Sequence, residues 1–163
     1  MKTILIIRHA KAETSFTLND FERPLNERGK KDAVEMATRL LKKQIKIDAF
    51  ISSPAKRAKK TCELFCTEYK QNTEEIIFLS SLYHAPAEIF YEVIEKLDDS
   101  LNSIAIFSHN PGITIFANSL VEKTYIDNMP TCSVFAVTIS IAKWSGFTKT
   151  TKDFLFFDYP KNG

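Results

Sequence analysis

The chain has 163 residues, 44% of them hydrophobic and 26% charged, with a formal net charge of +2. That length and balance predict one globular domain, residues 1–163, able to bury roughly 70% of its unfolded surface. So small a net charge argues against a nucleic-acid or anionic-membrane partner, and no apolar run nears the roughly 20 residues that span a bilayer.

The N-terminus shows no signal-peptide pattern, and Cys62, Cys66 and Cys132 lack the spacing of a disulfide framework. Both features predict a cytoplasmic protein with reduced, partly buried thiols.

In chain order, the apolar run through Ile7 predicts a buried strand that stops abruptly at Arg8-His9. Lys11 to Arg23 is polar and reads as a loop, with Lys11 and Glu13 as solvated charges. Asn26 caps a helix that runs to about Lys43, with Ala33, Met36, Ala37, Leu40 and Leu41 as its apolar stripe. Asp48 to Ile51 forms a second strand ending in Ser52-Ser53, and Pro54 suits the first turn of a helix carrying Arg57 among lysines. Ile76 to Leu79 forms a third strand, followed by Tyr83-His84-Ala85-Pro86, which reads equally as a plain turn or as part of a site. A helix over Ala87 to Leu97, a strand over Ser103 to Phe107 and a helix over Ile113 to Val121 come next. The alternating pattern from Ser133 and the aromatic run from Lys152 to Tyr159 predict a closing hairpin that turns near Trp144-Ser145-Gly146.

Strand and helix alternate four times, the pattern of a three-layer α/β/α sandwich around a mostly parallel sheet. In such sheets ligands bind beyond the carboxyl ends of the strands. Three runs here end in reactive groups: Arg8-His9, then Ser52-Ser53 with Arg57 one turn on, then Ser108-His109-Asn110. If these strands are parallel neighbours, two of the chain's three histidines and two arginines meet at one edge. Two imidazoles and two guanidiniums suit a phosphoryl group. Arginine clamps its oxygens, one imidazole attacks phosphorus in line and the other donates to an equatorial oxygen. Helix N-termini after Pro54 and Pro111 would add backbone donors. Neither a metal nor a cofactor is required, because the side chains already supply the positive charge.

These residues resemble the histidine phosphatase superfamily, the phosphoglycerate mutase-like fold. The matching positions are Arg8-His9 after a strand, Ser53-Pro54 with Arg57-Ala58 and Thr61, and a late Ser108-His109. Arg23-Pro24-Leu25 with Gly29, Leu82-Tyr83-His84-Ala85 and Ser108-His109-Asn110-Pro111 are similar to its small SixA-type phosphohistidine phosphatase branch. The resemblance implies His9 as the phosphorylated nucleophile, with Arg8, Arg57 and His109 around the phosphoryl group. It makes Arg23 an additional pocket arginine, and it places Asn110 and His84 among the substrate-binding candidates.

Two positions depart from the superfamily pattern. Ala10 stands where Gly is usual, and no carboxylate follows the third strand before Glu88. An ester's alkoxide needs a proton to leave, whereas the imidazole of phosphohistidine is a far better leaving group. The missing acid therefore favours the P–N bond. The short stretch between Arg57 and His109 leaves no room for a cap domain, so an open site for a phosphorylated protein, such as a histidine-phosphotransfer domain, is expected. Two alternatives stand beside this reading. One is a phosphatase of small metabolites with Glu13, His84 or Glu88 as acid; the other is a non-catalytic module that binds a phosphorylated partner. The sequence does not specify the oligomeric state.

Overall fold

The computed structural model describes residues 1–163. Ten elements follow one another: β1 (Lys2–Arg8), α1 (Glu27–Lys42), β2 (Ala49–Ser52), α2 (Lys56–Glu68), β3 (Ile77–Phe78), α3 (Ala87–Glu95), β4 (Ser103–Ser108), α4 (Gly112–Leu120), β5 (Val134–Ile139) and β6 (Lys152–Asp158). The six strands make one sheet in the order β3-β2-β4-β1-β5-β6. β1, β2, β3 and β4 pair in parallel, while β5 and β6 close the sheet antiparallel to their neighbours.

β1 shows why the sandwich has three layers. Its side chains alternate, so Ile4 and Ile6 join Phe90, Ile94, Ile113 and Phe116 under α3 and α4. Leu5 and Ile7 join Ala33, Met36, Ala37 and Phe65 under α1 and α2. All four β1 residues are fully buried, which is why the strand reads as an unbroken apolar run rather than an alternating one.

Four expectations shift in detail. The third strand is two residues long, bracketed by 310 turns at Thr73–Glu75 and Ser80–Leu82, and it leaves Ile76 and Leu79 outside. It is an edge strand paired on one side, so Ile77 and Phe78 face solvent. Leu41 is also exposed, because Leu40 already fills the inward position and the next residue turns about 100° away. The third helix ends at Glu95 rather than Leu97. Trp144 is no exposed hairpin tip. It is fully buried in a 310 turn, its indole N–H donates to the Leu101 carbonyl at 3.0 Å, and the Lys2 ammonium lies over its ring.

Two glycines permit close approaches beside the sheet edge. A Cβ on Gly112, at the start of α4, would collide with the Ala85 carbonyl, and one on Gly29, in α1, with that of Lys11. All three cysteines are buried and unpaired. No helix is long and apolar enough to cross a membrane.

Candidate active site

β4 lies between β1 and β2, so the three reactive strand ends stand side by side. The ladder continues past the strands: His9 N–H donates to the Ser108 carbonyl at 3.1 Å, and Ser53 N–H to the Phe107 carbonyl at 3.0 Å. These bonds hold His9, Ser53 and His109 in one row at the carboxyl edge.

The His9 ring is oriented by a main-chain oxygen. Its Nδ1–H donates to the Ala10 carbonyl at 2.8 Å, which fixes the tautomer and puts the lone pair on Nε2. Arg57 Nε–H donates to that lone pair at 3.3 Å. Thr61 ties the two segments together, because its hydroxyl accepts from Ala10 N–H and donates to the Arg57 carbonyl. Burial pushes the His9 imidazole down to about 3; the Ala10 hydrogen bond opposes this, and the charges of Arg57, Arg8 and Arg23 add to it. At neutral pH His9 is an uncharged imidazole whose Nε2 lone pair accepts from Arg57.

The His109 ring lies 5.2 Å from that of His9, centre to centre. Ser53 Oγ accepts Ala55 N–H and hydrogen-bonds His109 Nε2 at 2.7 Å. With the Ser53 hydroxyl as the donor, neutral His109 carries its proton on Nδ1, a buried atom with no partner. Burial, then the neighbouring His9 and Arg57, holds this imidazole far below its usual value. Arg8 donates through Nη1 to the Met129 carbonyl at 2.8 Å, and its buried Nε is likewise unpartnered. Buried donors without acceptors are rare, and two of them beside a crowd of cations mark a place built for an anion.

At the mouth of the site stands a residue that the sequence did not single out. Asp20 Oδ2 accepts from Arg57 Nη2 at 2.9 Å, Tyr83 Oη at 2.7 Å and His84 Nε2 at 3.1 Å. Asp20 Oδ1 accepts from Arg23 Nε at 3.2 Å and Nη2 at 3.0 Å, and the Asp20 carbonyl accepts from Arg57 Nη1 at 2.6 Å. Partial burial opposes ionisation, but the bonds from Tyr83, Arg57 and Arg23 outweigh it and hold this carboxyl well below the usual carboxylate range. Asp20 lies in a polar loop with no periodicity, and its partners are 37 and 63 residues away. The nearest local signal is its place three residues before Arg23, in a 310 turn capped by Asn19.

The structure brings Arg8, His9, Arg23, Arg57, His84 and His109 into one cluster. Asn110 borders it differently: its amide nitrogen donates to Asn128 Oδ1 and the Met129 carbonyl, and its oxygen accepts from Thr114. Those bonds occupy the side chain in bracing the loop that holds Arg8. Glu13 and Glu88 are exposed. None of the five main concavities of the surface is lined by His9, Arg57 or His109. A 360 Å³ concavity beside the site is lined by Lys30, Lys56, Lys59 and Lys60 together with Pro24, Leu25 and Glu63.

The sequence pattern of the histidine phosphatase superfamily (branch 1) matches residues 4–82. No curated protein is significantly similar in sequence. Among solved structures, the protein histidine phosphatase SixA in complex with tungstate superposes with a TM-score of 0.84 at 22% identity, over 98% of each chain. The Agrobacterium tumefaciens protein assigned as the phosphohistidine phosphatase SixA gives 0.81 at 20% identity, again over 98% of each chain. A mycobacterial glucosyl-3-phosphoglycerate phosphatase gives 0.66 at 13% identity and the same coverage. These likenesses establish a phosphoglycerate mutase-like fold without a cap domain. With that fold, and with the family's sequence pattern over residues 4–82, the chain is similar to the histidine phosphatase superfamily.

Proposed function

We propose that this protein is a metal-independent phosphatase that removes the phosphoryl group from phosphohistidine on a protein, through a phospho-His9 intermediate. The observation that carries the reading is the pairing of a neutral, carbonyl-oriented His9 with the orphaned donors of His109 and Arg8. In the first step His9 Nε2 attacks phosphorus, the bond from phosphorus to the substrate nitrogen breaks, and the electron pair leaves with the substrate imidazole. Arg8, Arg57 and His109 Nδ1–H hold the three equatorial oxygens as charge builds on them. In the second step water attacks the phosphorylated His9, its proton passes to phosphate or solvent, and His9 departs as a neutral imidazole with its Nδ1–H still on the Ala10 carbonyl.

Two features support phosphohistidine on a protein as the target. Asp20 stays ionised and carries no proton to give, Glu88 is exposed, and exposed Glu13 meets the cluster through its main-chain carbonyl, which accepts from Arg23 Nη1 at 3.1 Å. Protonation of an alkoxide therefore has no resident carboxylic acid. The lysines of the concavity beside the site, Lys30, Lys56, Lys59 and Lys60 against a single Glu63, favour an acidic phosphoprotein, such as a histidine-phosphotransfer domain.

The test compares hydrolysis of a phosphohistidine-bearing protein with that of a phosphomonoester, using wild type and His9→Ala. Preference for the phosphohistidine, abolished by the substitution, is the expected result. Preference for the ester would replace this reading with a metabolite phosphatase, and retention of cellular function by His9→Ala would point to a binding module.

A further inference from the structure

The proposed chemistry accounts for the attacking side of phosphorus but leaves the far side unassigned. Several groups beside the cluster have no part in that chemistry. Asp20 Oδ2, the ring of Tyr83 and the imidazole of His84 form a compact set, with the Tyr83 and His84 rings 4.1 Å apart and His84 5.4 Å from His109. His84 is half exposed and its backbone is in the left-handed region at φ 52, a conformation that non-glycine residues seldom adopt.

We propose that Asp20 and Tyr83 form a subsite for the leaving imidazole of phosphohistidine, and that His84 occupies this subsite in the free protein. The inference rests on the function proposed above. Its basis is an arrangement already present in the structure: an imidazole against the Tyr83 ring with a ring nitrogen 3.1 Å from Asp20 Oδ2. A second imidazole, brought by the substrate, finds the same aromatic wall and the same acceptor once the half-exposed His84 swings out.

The chemistry gives Asp20 a defined task. When the P–N bond of phosphohistidine breaks, the bonding pair stays on the departing nitrogen. If the other ring nitrogen carries a proton, the product is neutral imidazole; without it, the product is the far less stable imidazolate. An ionised carboxylate that accepts this N–H stabilises the protonated ring and so the better leaving group. The Ala10 carbonyl performs the same service for His9, which must itself leave phosphorus in the second step. Both imidazoles in the reaction would thus have the nitrogen remote from phosphorus held as N–H by an oxygen acceptor. An ester has no such N–H, so Asp20 acts as a specificity determinant for phosphoramidates.

Asp20 also holds Arg57 and Arg23, so its removal affects any substrate. The informative quantity is a ratio. Phosphoimidazole and 4-nitrophenyl phosphate are hydrolysed in parallel by wild type, Asp20→Asn and His84→Ala, with thermal melts confirming that each variant is folded. Loss of a charge-assisted hydrogen bond to the leaving ring lowers kcat/KM for phosphoimidazole about 30-fold more than for the aryl ester in Asp20→Asn. In His84→Ala the subsite is vacated, so KM for phosphoimidazole falls. An equal loss on both substrates in Asp20→Asn would overturn the subsite and leave Asp20 as a positioning residue for Arg57. A lower rate on phosphoimidazole in His84→Ala would overturn the occupant role. Wild type that hydrolyses the ester but neither phosphoimidazole nor phosphohistidine would instead overturn the proposed function itself, and the subsite with it.

Discussion

At the scale of single residues, the site depends on which ring nitrogen carries the proton. His9 receives its orientation from a carbonyl and His109 from a serine; the other nitrogen of His9 accepts from Arg57, and that of His109 is buried without a partner. Ser53 is therefore a positioning residue. Ser53→Ala frees His109 to take the other tautomer, with expected loss of about 10- to 100-fold in kcat and a smaller change in KM. Ser53→Thr, which retains the hydroxyl, should recover most of the loss, a rescue that a general packing defect would not show. The strand-end residues Arg8, His9 and His109 were legible in the sequence because each interrupts an apolar run with no packing reason. Ser53 was legible as a position but not as a role. Asp20 was not legible at all: a carboxylate in a polar loop looks like a solvated charge until the fold brings Arg57 and Tyr83 to it.

At the scale of elements, helix starts and strand ends are locked together through close backbone contacts. Gly112 lets α4 begin directly against the Ala85 carbonyl, beside the turn that carries Tyr83 and His84. Gly112→Ala forces that turn and α4 apart, with an expected destabilisation of about 2–3 kcal/mol in chemical denaturation. A change below about 0.5 kcal/mol would show that the contact relaxes freely. The helices and the central strands followed from periodicity, as did the layered fold. The third strand and the tryptophan turn did not. A two-residue edge strand carries almost no pattern, and Trp144 is buried by Lys2 and the Leu101 carbonyl, partners distant in sequence. Nothing in the local sequence distinguishes such a plug from a hairpin tip.

At the scale of the whole molecule, concentrating cations at one edge gives the fold an acid weakness. The folded His9 imidazole titrates at about 3, below the roughly 6.5 of an unfolded histidine. Between those values the unfolded chain binds more protons, so stability is complete above about pH 6.5 and falls as pH drops towards 3. His109 shifts in the same direction and steepens the loss, and the depressed Asp20 carboxyl adds its share below about pH 4. Each imidazole contributes at most about 1.4 kcal/mol per pH unit across this window. Melting temperatures measured from pH 7.5 to 4 should decline, with a shallower slope in His9→Gln; a flat profile would contradict the neutral-imidazole assignment.

The three buried thiols turn the protein into its own clock. Cys62 and Cys66 lie on the buried face of α2, whereas Cys132 donates its backbone N–H to the carbonyls of Arg8 and His9 directly beneath the reactive edge. A thiol reagent can reach them only when the surrounding structure opens. Alkylation of Cys62 and Cys66 then times global unfolding, and any faster labelling of Cys132 times the breathing of the catalytic edge alone. An oxyanion bound at that edge would slow the second clock while leaving the ratio of the other two unchanged.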